Sequence, residues 1–157
     1  MPPRTHKRTD APDAGIAHGV LTDLVGFHLR QAQIAVFRDF AATVGALDIT
    51  PGLFAVLVLI ESNPGLKQSE LARAVHLDRS TVVSVVDNLE RRKLVERGAV
   101  ASDRRSNALR LTPEGGALLK KLKRLVARHE QRLVRGFAPG EATTLVALLR
   151  RIFPEHR

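Results

Sequence analysis

Apolar residues recur at helical spacing over most of this chain. In residues 17–44 an apolar side chain returns every three or four positions, which predicts one long helix that ends near Gly45. The segment after Thr50-Pro51 is apolar on nearly every side, which indicates a buried helix with Thr50 as its cap. Asn63-Pro64-Gly65 should end that helix, because its residues are typical of turns.

Two short helices are predicted next, over residues 68–75 and 79–93, with a three-residue turn between them. Lys67 stands where a capping Ser or Thr is expected, so the first of them either frays or starts from a short strand at Leu66. Asp78 can cap the second. At 100° per residue, four apolar residues of the second helix face the core and a short, mostly uncharged face points outward. The outward face contains Ser80, Val83, Ser84, Asp87 and Arg91, with Arg79 and Thr81 beside its start.

A hairpin and two helices complete the predicted order. Residues 94–100 and 108–111 have the pattern of two strands, and residues 101–107 are turn formers and charges. Helical spacing returns in residues 113–137 and 141–152, the first of which follows a Thr-Pro start signal. The sequence therefore predicts a mainly α fold with a small β-hairpin wing, a winged helix-turn-helix.

Composition narrows the range of partners. The 157 residues suit one domain, and a net charge of +9 favours a polyanionic partner. The absence of Cys removes disulfides, thiolate metal sites and cysteine nucleophiles. The longest apolar stretch, residues 53–60, is too short to span a membrane, and residues 1–16 have no secretory pattern and are expected to form a disordered basic arm. A cytoplasmic protein is therefore expected.

The sequence contains no recognisable catalytic or metal constellation. The six histidines include no pair with the i, i+4 spacing of a helical metal site. His28 and His129 fall on apolar helix faces, where a satisfied core or interface histidine is expected and a ligand contact is the alternative. We therefore expect no metal, no cofactor and no enzymatic activity.

A helix with a short polar outer face, followed by a basic hairpin, favours duplex DNA as the partner. The first turns of such a helix fit a major groove about 12 Å wide, and Val83 can touch a thymine methyl group. Arg104 at the predicted hairpin tip can enter a minor groove, and Asp103 can pair with an arginine to fix the tip. For Arg105, DNA contact and a solvated turn charge both stay open. The expected DNA contacts are Arg79, Ser80, Thr81, Val83, Ser84, Asp87, Arg91, Asp103, Arg104 and Arg105.

Over residues 21–152 the chain resembles MarR-type transcriptional regulators, a family named for multiple antibiotic resistance. Several motifs carry the resemblance, and their order is specific although no single one is. They are Leu71-Ala72, Asp78-Arg79-Ser80-Thr81-Val82, Val86-Asp87-Asn88-Leu89-Glu90, Leu94-Val95-Glu96-Arg97, Asp103-Arg104-Arg105 and Leu111-Thr112-Pro113-Glu114-Gly115. Two departures are Ser84 and Asn88, where the family often has a basic residue. The absence of Cys excludes the cysteine-based peroxide sensors of the family.

The resemblance implies a single domain over residues 17–157 that forms a homodimer on a pseudo-palindromic operator. Residues 17–45 and 113–157 would supply the dimerisation helices, and residues 50–112 the DNA-binding lobe. It also implies repression relieved by a small anionic or aromatic molecule, such as an aromatic acid or its coenzyme A thioester, in a cleft between the dimer helices and that lobe.

The candidate effector contacts are His28, Arg30 and Phe54. A ligand-independent architectural or RNA-binding winged-helix protein is the alternative function. An enzyme is the third class, and the missing catalytic constellation argues against it.

Overall fold

The computed structural model describes residues 15–100 and 103–152, apart from the side chains at positions 46, 99, 100 and 103–107. The predicted arm lies outside these residues except for its last two positions, Gly15 and Ile16. Within the described ranges the fold is mainly α-helical with one two-stranded antiparallel hairpin, as predicted. The elements are α1 (Val25–Val44), α2 (Pro51–Ser62), α3 (Gln68–Ala74), α4 (Arg79–Arg91), β1 (Val95–Val100), β2 (Asp103–Leu111), α5 (Pro113–Leu133) and α6 (Glu141–Ile152).

The chain divides into two compact units within α1, the first ending at Ala35 and the second beginning at Val36. In the first unit, the prediction of a helix from residue 17 is wrong. A 3-10 turn spans Gly19–Asp23, and α1 begins only at Val25. The interruption has a local cause, because Gly19 takes a positive φ of 52° and Leu24 is extended. The helical spacing of apolar residues continues through this break, so the sequence pattern does not predict the break.

The second unit contains the hydrophobic core. Its most deeply buried side chains come from α2, α3, α4, β2 and α5, and they include Leu57, Leu71, Val86, Leu89, Leu109, Leu119 and Leu122, each 0% exposed. Thr50 caps α2 as predicted, since its Oγ1 accepts a hydrogen bond from the Leu53 amide at 3.2 Å. Fully burying one such leucine contributes about 1.5–3 kcal/mol, so this cluster dominates the stability of the unit.

The start of α3 is set by a short strand contact, one of the two alternatives that the sequence left open. Lys67 forms an isolated antiparallel bridge with Ala108, and the Leu109 amide donates to the Leu66 carbonyl at 2.8 Å. The Glu70 carboxylate accepts a hydrogen bond from the Lys67 amide at 2.9 Å. This contact replaces the missing Ser or Thr cap and joins α3 to the hairpin.

The hairpin extends further than predicted. Its return strand was expected at Ala108, but β2 begins at Asp103, and the register runs from Val95 opposite Leu111 to Val100 opposite Asp103. The register shifts between Ala99 and Val100. Residues 103–107 are charged or polar and lack apolar alternation, so the sequence pattern predicts a tip there. Backbone pairing at a hairpin end does not require that alternation.

Two helices end earlier than their apolar patterns. Helix α4 ends at Arg91 rather than position 93, and Lys93 has a positive φ of 56°. Helix α5 ends at Leu133 rather than position 137, where a further turn is closed by the Phe137 amide donating to the Val134 carbonyl at 2.9 Å. Pattern-based helix ends are uncertain by a few residues because terminal turns keep the same spacing.

A hydrogen-bonded cluster of one buried histidine and two partly exposed charged residues joins the second half of α1 to α5. His129 is 2% exposed, and its Nδ1 lies 2.5 Å from the Asp39 carboxylate, to which Arg132 also donates at 2.8 Å. Hydrogen bonds from Arg132 and His129 lower the pKa of Asp39 to about 2. The ionised carboxylate only accepts, so Nδ1 of His129 carries the hydrogen. His129 is thus a core histidine with a satisfied partner.

The start of α5 is pressed against Lys93 and Leu94, the residues between α4 and β1. Thr112 Oγ1 accepts from the Gly115 amide at 3.0 Å and donates to the Lys93 carbonyl at 2.6 Å. A Cβ at Gly115 would lie 1.9 Å from the Leu94 carbonyl oxygen, whereas a Cβ at Gly116 would meet nothing within 4 Å. Position 115 therefore requires glycine for a close backbone approach, and position 116 does not.

We expect Gly115→Ala to lower the free energy of unfolding by about 2–3 kcal/mol, because the added methyl group meets a fixed backbone carbonyl. Gly116→Ala is the matched control and should raise it by about 0.5–1 kcal/mol, since it only restricts the unfolded chain. Urea unfolding of both variants measures the difference. Equal effects would contradict the close approach at Leu94.

Candidate nucleic-acid interface

The outward face of α4 is the one predicted. Val82, Val86 and Leu89 are buried in the core. Burial of these side chains fixes the rotation of the helix about its axis. The residues on the opposite side are exposed, namely Arg79, Ser80, Val83, Ser84, Asp87 and Arg91, with Thr81 partly exposed beside them.

Asp78 organises the first turn of α4. Its carboxylate accepts hydrogen bonds from the Thr81 amide at 2.8 Å, from Thr81 Oγ1 at 2.6 Å and from the Ser80 hydroxyl. These three donors, led by the two hydroxyls, hold the pKa of Asp78 well below its usual range. The predicted cap is therefore present, and it also immobilises two of the predicted DNA contacts.

The turn before α4 borders a wide surface groove. His76 has a positive φ of 53°, and the Leu77 amide donates to the Ala72 carbonyl at 3.1 Å, which closes the three-residue turn. The groove has a volume of about 950 Å³, and its walls include Arg73 and Arg79. Cations thus lie on both sides of the turn that leads into α4.

Arg97 on β1 connects the wing to α4. Its guanidinium pairs with the Asp87 carboxylate at 2.5 Å and with the Glu90 carboxylate. The Arg97 side chain is 19% exposed. Asp87, which we predicted to face DNA, is exposed and at the same time holds this arginine. Its negative charge is therefore balanced locally, which lowers its repulsion of phosphate.

Arg92 anchors the other end of α4. It donates to the carbonyls of Leu47 and Asp48, each at 2.8 Å, in the loop that follows α1. The sequence pattern predicts neither this contact nor the Arg97 pairs. The partners of Arg92 are more than forty positions away along the chain, so no local spacing signals them. The excess of arginine near the end of α4 is the only sequence feature that indicates a structural role for Arg92 and Arg97.

The wing residues that we predicted to contact DNA lie in β2. The backbone of Asp103, Arg104 and Arg105 belongs to the strand β2 rather than to a free turn. Asp103 pairs with Val100, and Arg104 and Arg105 lie in the irregular stretch before the next pair, Asn107 with Ala99. Their side chains lie outside the described part of the structure, so the expected pairing of Asp103 with an arginine stays a prediction.

The three candidate effector contacts each have their own neighbours. In the first unit, His28 Nε2 lies 2.8 Å from the Thr22 carbonyl, and Arg30 donates to Gln33 at 3.2 Å. In the second unit, Phe54 packs against Phe40 with ring centroids 6.3 Å apart. Their role toward an effector stays a prediction.

The described residues contain no group of three or more His, Asp or Glu side chains placed to hold a metal ion. In the same part of the chain, no helix has both the length and the apolar character needed to cross a bilayer.

A capped helix with a polar outer face, preceded by a short helix and followed by a two-stranded wing, defines the winged helix-turn-helix class of DNA-binding proteins. The model of the MarR family matches residues 49–106. A proposed transcriptional regulatory protein for the hcr operon of Thauera aromatica is 41% identical over 141 residues, which cover 89% of this chain and 85% of the relative.

Two solved structures extend the likeness. The transcriptional repressor CouR bound to a 23-mer DNA duplex is 40% identical, with a TM-score of 0.83 over 87% of this chain and 97% of that one. CouR bound to p-coumaroyl-CoA is 36% identical, with a TM-score of 0.82 over 89% and 99%. The chain belongs to the MarR family of transcriptional regulators. Its partners are therefore DNA and a second copy of itself.

We expect Asp87→Ala and Arg97→Ala each to weaken operator binding, because Arg97→Ala removes both ion pairs that hold the wing to α4 and Asp87→Ala removes one of them. The double variant should have the same operator affinity as the single variant that binds more weakly. The coupling free energy between the two positions should be about 1 kcal/mol. Fluorescence anisotropy with a duplex selected from a random library measures the four affinities. Glu96→Ala, an exposed change on the same strand, is the control. Additive losses would mean that Asp87 acts on DNA independently of Arg97.

Proposed function

We propose that this chain is a repressor that binds a pseudo-palindromic operator as a homodimer and is released by a small-molecule effector. The observation that carries the proposal is the start of α4. There, a rigidly capped turn exposes small polar residues beside Val83, with cations on both flanks. This shape suits the edges of bases in a major groove.

The contacts divide by chemistry. Arg79 and Arg91 supply guanidinium donors for phosphates or guanine, and Val83, 44% exposed, supplies an apolar contact for a thymine methyl group. Arg104 on the wing is assigned to the minor groove, with Arg105 beside it and Asp103 fixing the strand end. Ser80, Thr81, Ser84 and Asp87 complete the proposed set.

We propose the predicted division of labour along the chain, with residues 50–112 on DNA and residues 17–45 and 113–157 in the dimer. Large apolar side chains near both ends support it. Each is between 42% and 68% exposed in the single chain: Val20, Leu21, Leu24, Val25, Leu145, Val146, Leu148 and Ile152. Monomeric proteins rarely expose large contiguous apolar patches, and an isologous interface would bury these side chains. A regulator of this kind acts on the chromosome, so we place it in the cytoplasm, and we assign it no enzymatic activity.

An anionic aromatic compound is the proposed effector class. CouR, a relative of known structure, is bound to p-coumaroyl-CoA in one of its structures. In this chain Arg30 is exposed on α1, two positions after His28, so a carboxylate or phosphate could reach its guanidinium. Phe54 supplies an aromatic surface in the second unit. An architectural or RNA-binding role without an effector is the alternative, and it predicts no preference for one duplex sequence.

We expect one dimer to bind each selected duplex, with an affinity that falls steeply with salt. The log–log slope should be about −0.9 for every phosphate neutralised. Sedimentation of the complex gives the stoichiometry, and anisotropy between 50 and about 200 mM salt gives the slope. A flat salt response, or equal binding to unrelated duplexes, would contradict sequence-specific repression.

Arg104→Ala is the informative variant for this measurement. It should leave the dimer intact and weaken operator binding by about 1–3 kcal/mol, the cost of one base-reading contact. Unchanged affinity would reduce Arg104 to a solvated charge of the hairpin.

We expect p-coumaroyl-CoA, or p-coumarate itself, to raise the melting temperature and to release the operator, whereas coenzyme A alone should do neither. Arg30→Ala and His28→Ala should weaken that ligand's binding, and Arg38→Ala, another exposed arginine of α1, should not. Thermal shift and calorimetry measure both effects. If binding is the same in all three variants, the effector contacts lie elsewhere.

A further inference from the structure

The hydroxyl groups at the start of α4 have a fixed hydrogen-bonding polarity. Each serine or threonine hydroxyl has one hydrogen to donate and two lone pairs that accept. The direction of that single hydrogen decides which chemical groups on DNA the side chain can meet. Three of the proposed DNA contacts, Ser80, Thr81 and Ser84, are of this kind.

Asp78 takes the hydrogens of the first two hydroxyls. Thr81 Oγ1 lies 2.6 Å from one carboxylate oxygen, and the Ser80 hydroxyl contacts the other. The three hydrogen bonds that reach this carboxylate lower its pKa, so it is ionised at neutral pH and has no hydrogen of its own. Both hydroxyls must therefore donate to Asp78.

The third hydroxyl is committed in the same direction. Ser84 Oγ lies 3.1 Å from the Ser80 carbonyl oxygen, one turn earlier in α4. A carbonyl oxygen only accepts, so the hydrogen of Ser84 points back along the helix. All three side chains thus donate their hydrogens to acceptors of the protein and leave only lone pairs for a partner.

Phosphate oxygens also only accept, so they cannot bond to these lone pairs. In the major groove, the donors are the exocyclic amino groups of adenine and cytosine, while guanine and thymine present acceptors and a methyl group. We propose that Ser80, Thr81 and Ser84 act as hydrogen-bond acceptors for the amino group of an adenine or cytosine that lies under the first turns of α4. They thereby select which strand of the operator carries the adenine or cytosine at that base pair. The inference rests on the proposed role of α4 in the major groove.

Asp78 is then a positioning residue for specificity. It touches no base in this scheme, but it fixes the polarity of the side chains that do. Donor contacts to guanine and to phosphate would come from Arg79 and Arg91 on the same exposed face. Base selection is therefore divided between hydroxyls that accept and guanidinium groups that donate.

The test begins with an operator selected from a random duplex library by the wild-type protein. Each adenine or cytosine of a half-site is then replaced by purine or 2-pyrimidinone, which lack the amino group. Parallel duplexes carry 7-deazaadenine, which lacks the N7 acceptor, or a neutral methylphosphonate linkage. Affinities are measured for wild type and for Ser80→Ala, Thr81→Val and Ser84→Ala, with melting curves as a check on folding.

We expect at least one amino group per half-site whose removal weakens wild-type binding about three- to tenfold more than it weakens one hydroxyl variant. Comparison with the variant cancels the loss of base pairing that the analogue itself causes. The inference would be overturned if the hydroxyl variants were coupled instead to the 7-deazaadenine or methylphosphonate duplexes, or to none of the duplexes. The selected operator and the proposed function would stand in either case. If no operator is selected, the proposed function fails first.

Asp78→Asn supplies a second measurement. The amide keeps an acceptor for the Thr81 amide but adds a donor, so a neighbouring hydroxyl is free to turn its hydrogen outward. Repeating the selection with this variant should shift the preferred base at the coupled position from adenine or cytosine toward guanine or thymine. An unchanged preference with intact affinity would overturn the positioning role of Asp78.

Discussion

Burial of one face of α4 is the constraint on which the rest of the DNA-binding arrangement depends. Val82, Val86 and Leu89 enter the core, and a helix held by three such residues cannot rotate about its axis without exposing them. The polar face of α4 must therefore point toward solvent. Asp78 holds the start of the helix, Arg92 its end and Arg97 the adjoining wing, so each contact refines an orientation that apolar burial has already set.

The sequence pattern predicts best those features of the structure that depend on residues close together in the chain. The exposed and buried faces of α4 follow from helical geometry, and the caps at Thr50, Asp78 and Thr112 follow from residue type and position. In each case the cause lies within a few residues of the effect. The element order and the fold class could therefore be obtained without coordinates.

Other features depend on information that the local pattern lacks. The break before Val25 depends on the conformation of Gly19 and Leu24, which leaves the apolar spacing unchanged. The longer β2 depends on pairing with β1 and not on alternation. The contacts of Arg92 and Arg97 join parts of the chain that only the folded structure brings together, so their sequence positions looked like ordinary surface charge. The commitment of the Ser80 and Thr81 hydrogens could not be seen from sequence either, although Asp78 itself was identified.

The close contact between Gly115 and Leu94 has a consequence for protein engineering. Thr112 donates its amide to the Leu94 carbonyl and its hydroxyl to the Lys93 carbonyl, and the backbone of Leu94 leaves no room for a Cβ at position 115. The first turn of α5 and the base of the wing are therefore built as one piece, although they belong to different functional regions. A chimaera that transplants this DNA-binding lobe onto another regulator should place its junction beyond Gly115, within α5. A junction at the end of β2 would separate Thr112 from the Lys93 and Leu94 carbonyls to which it donates.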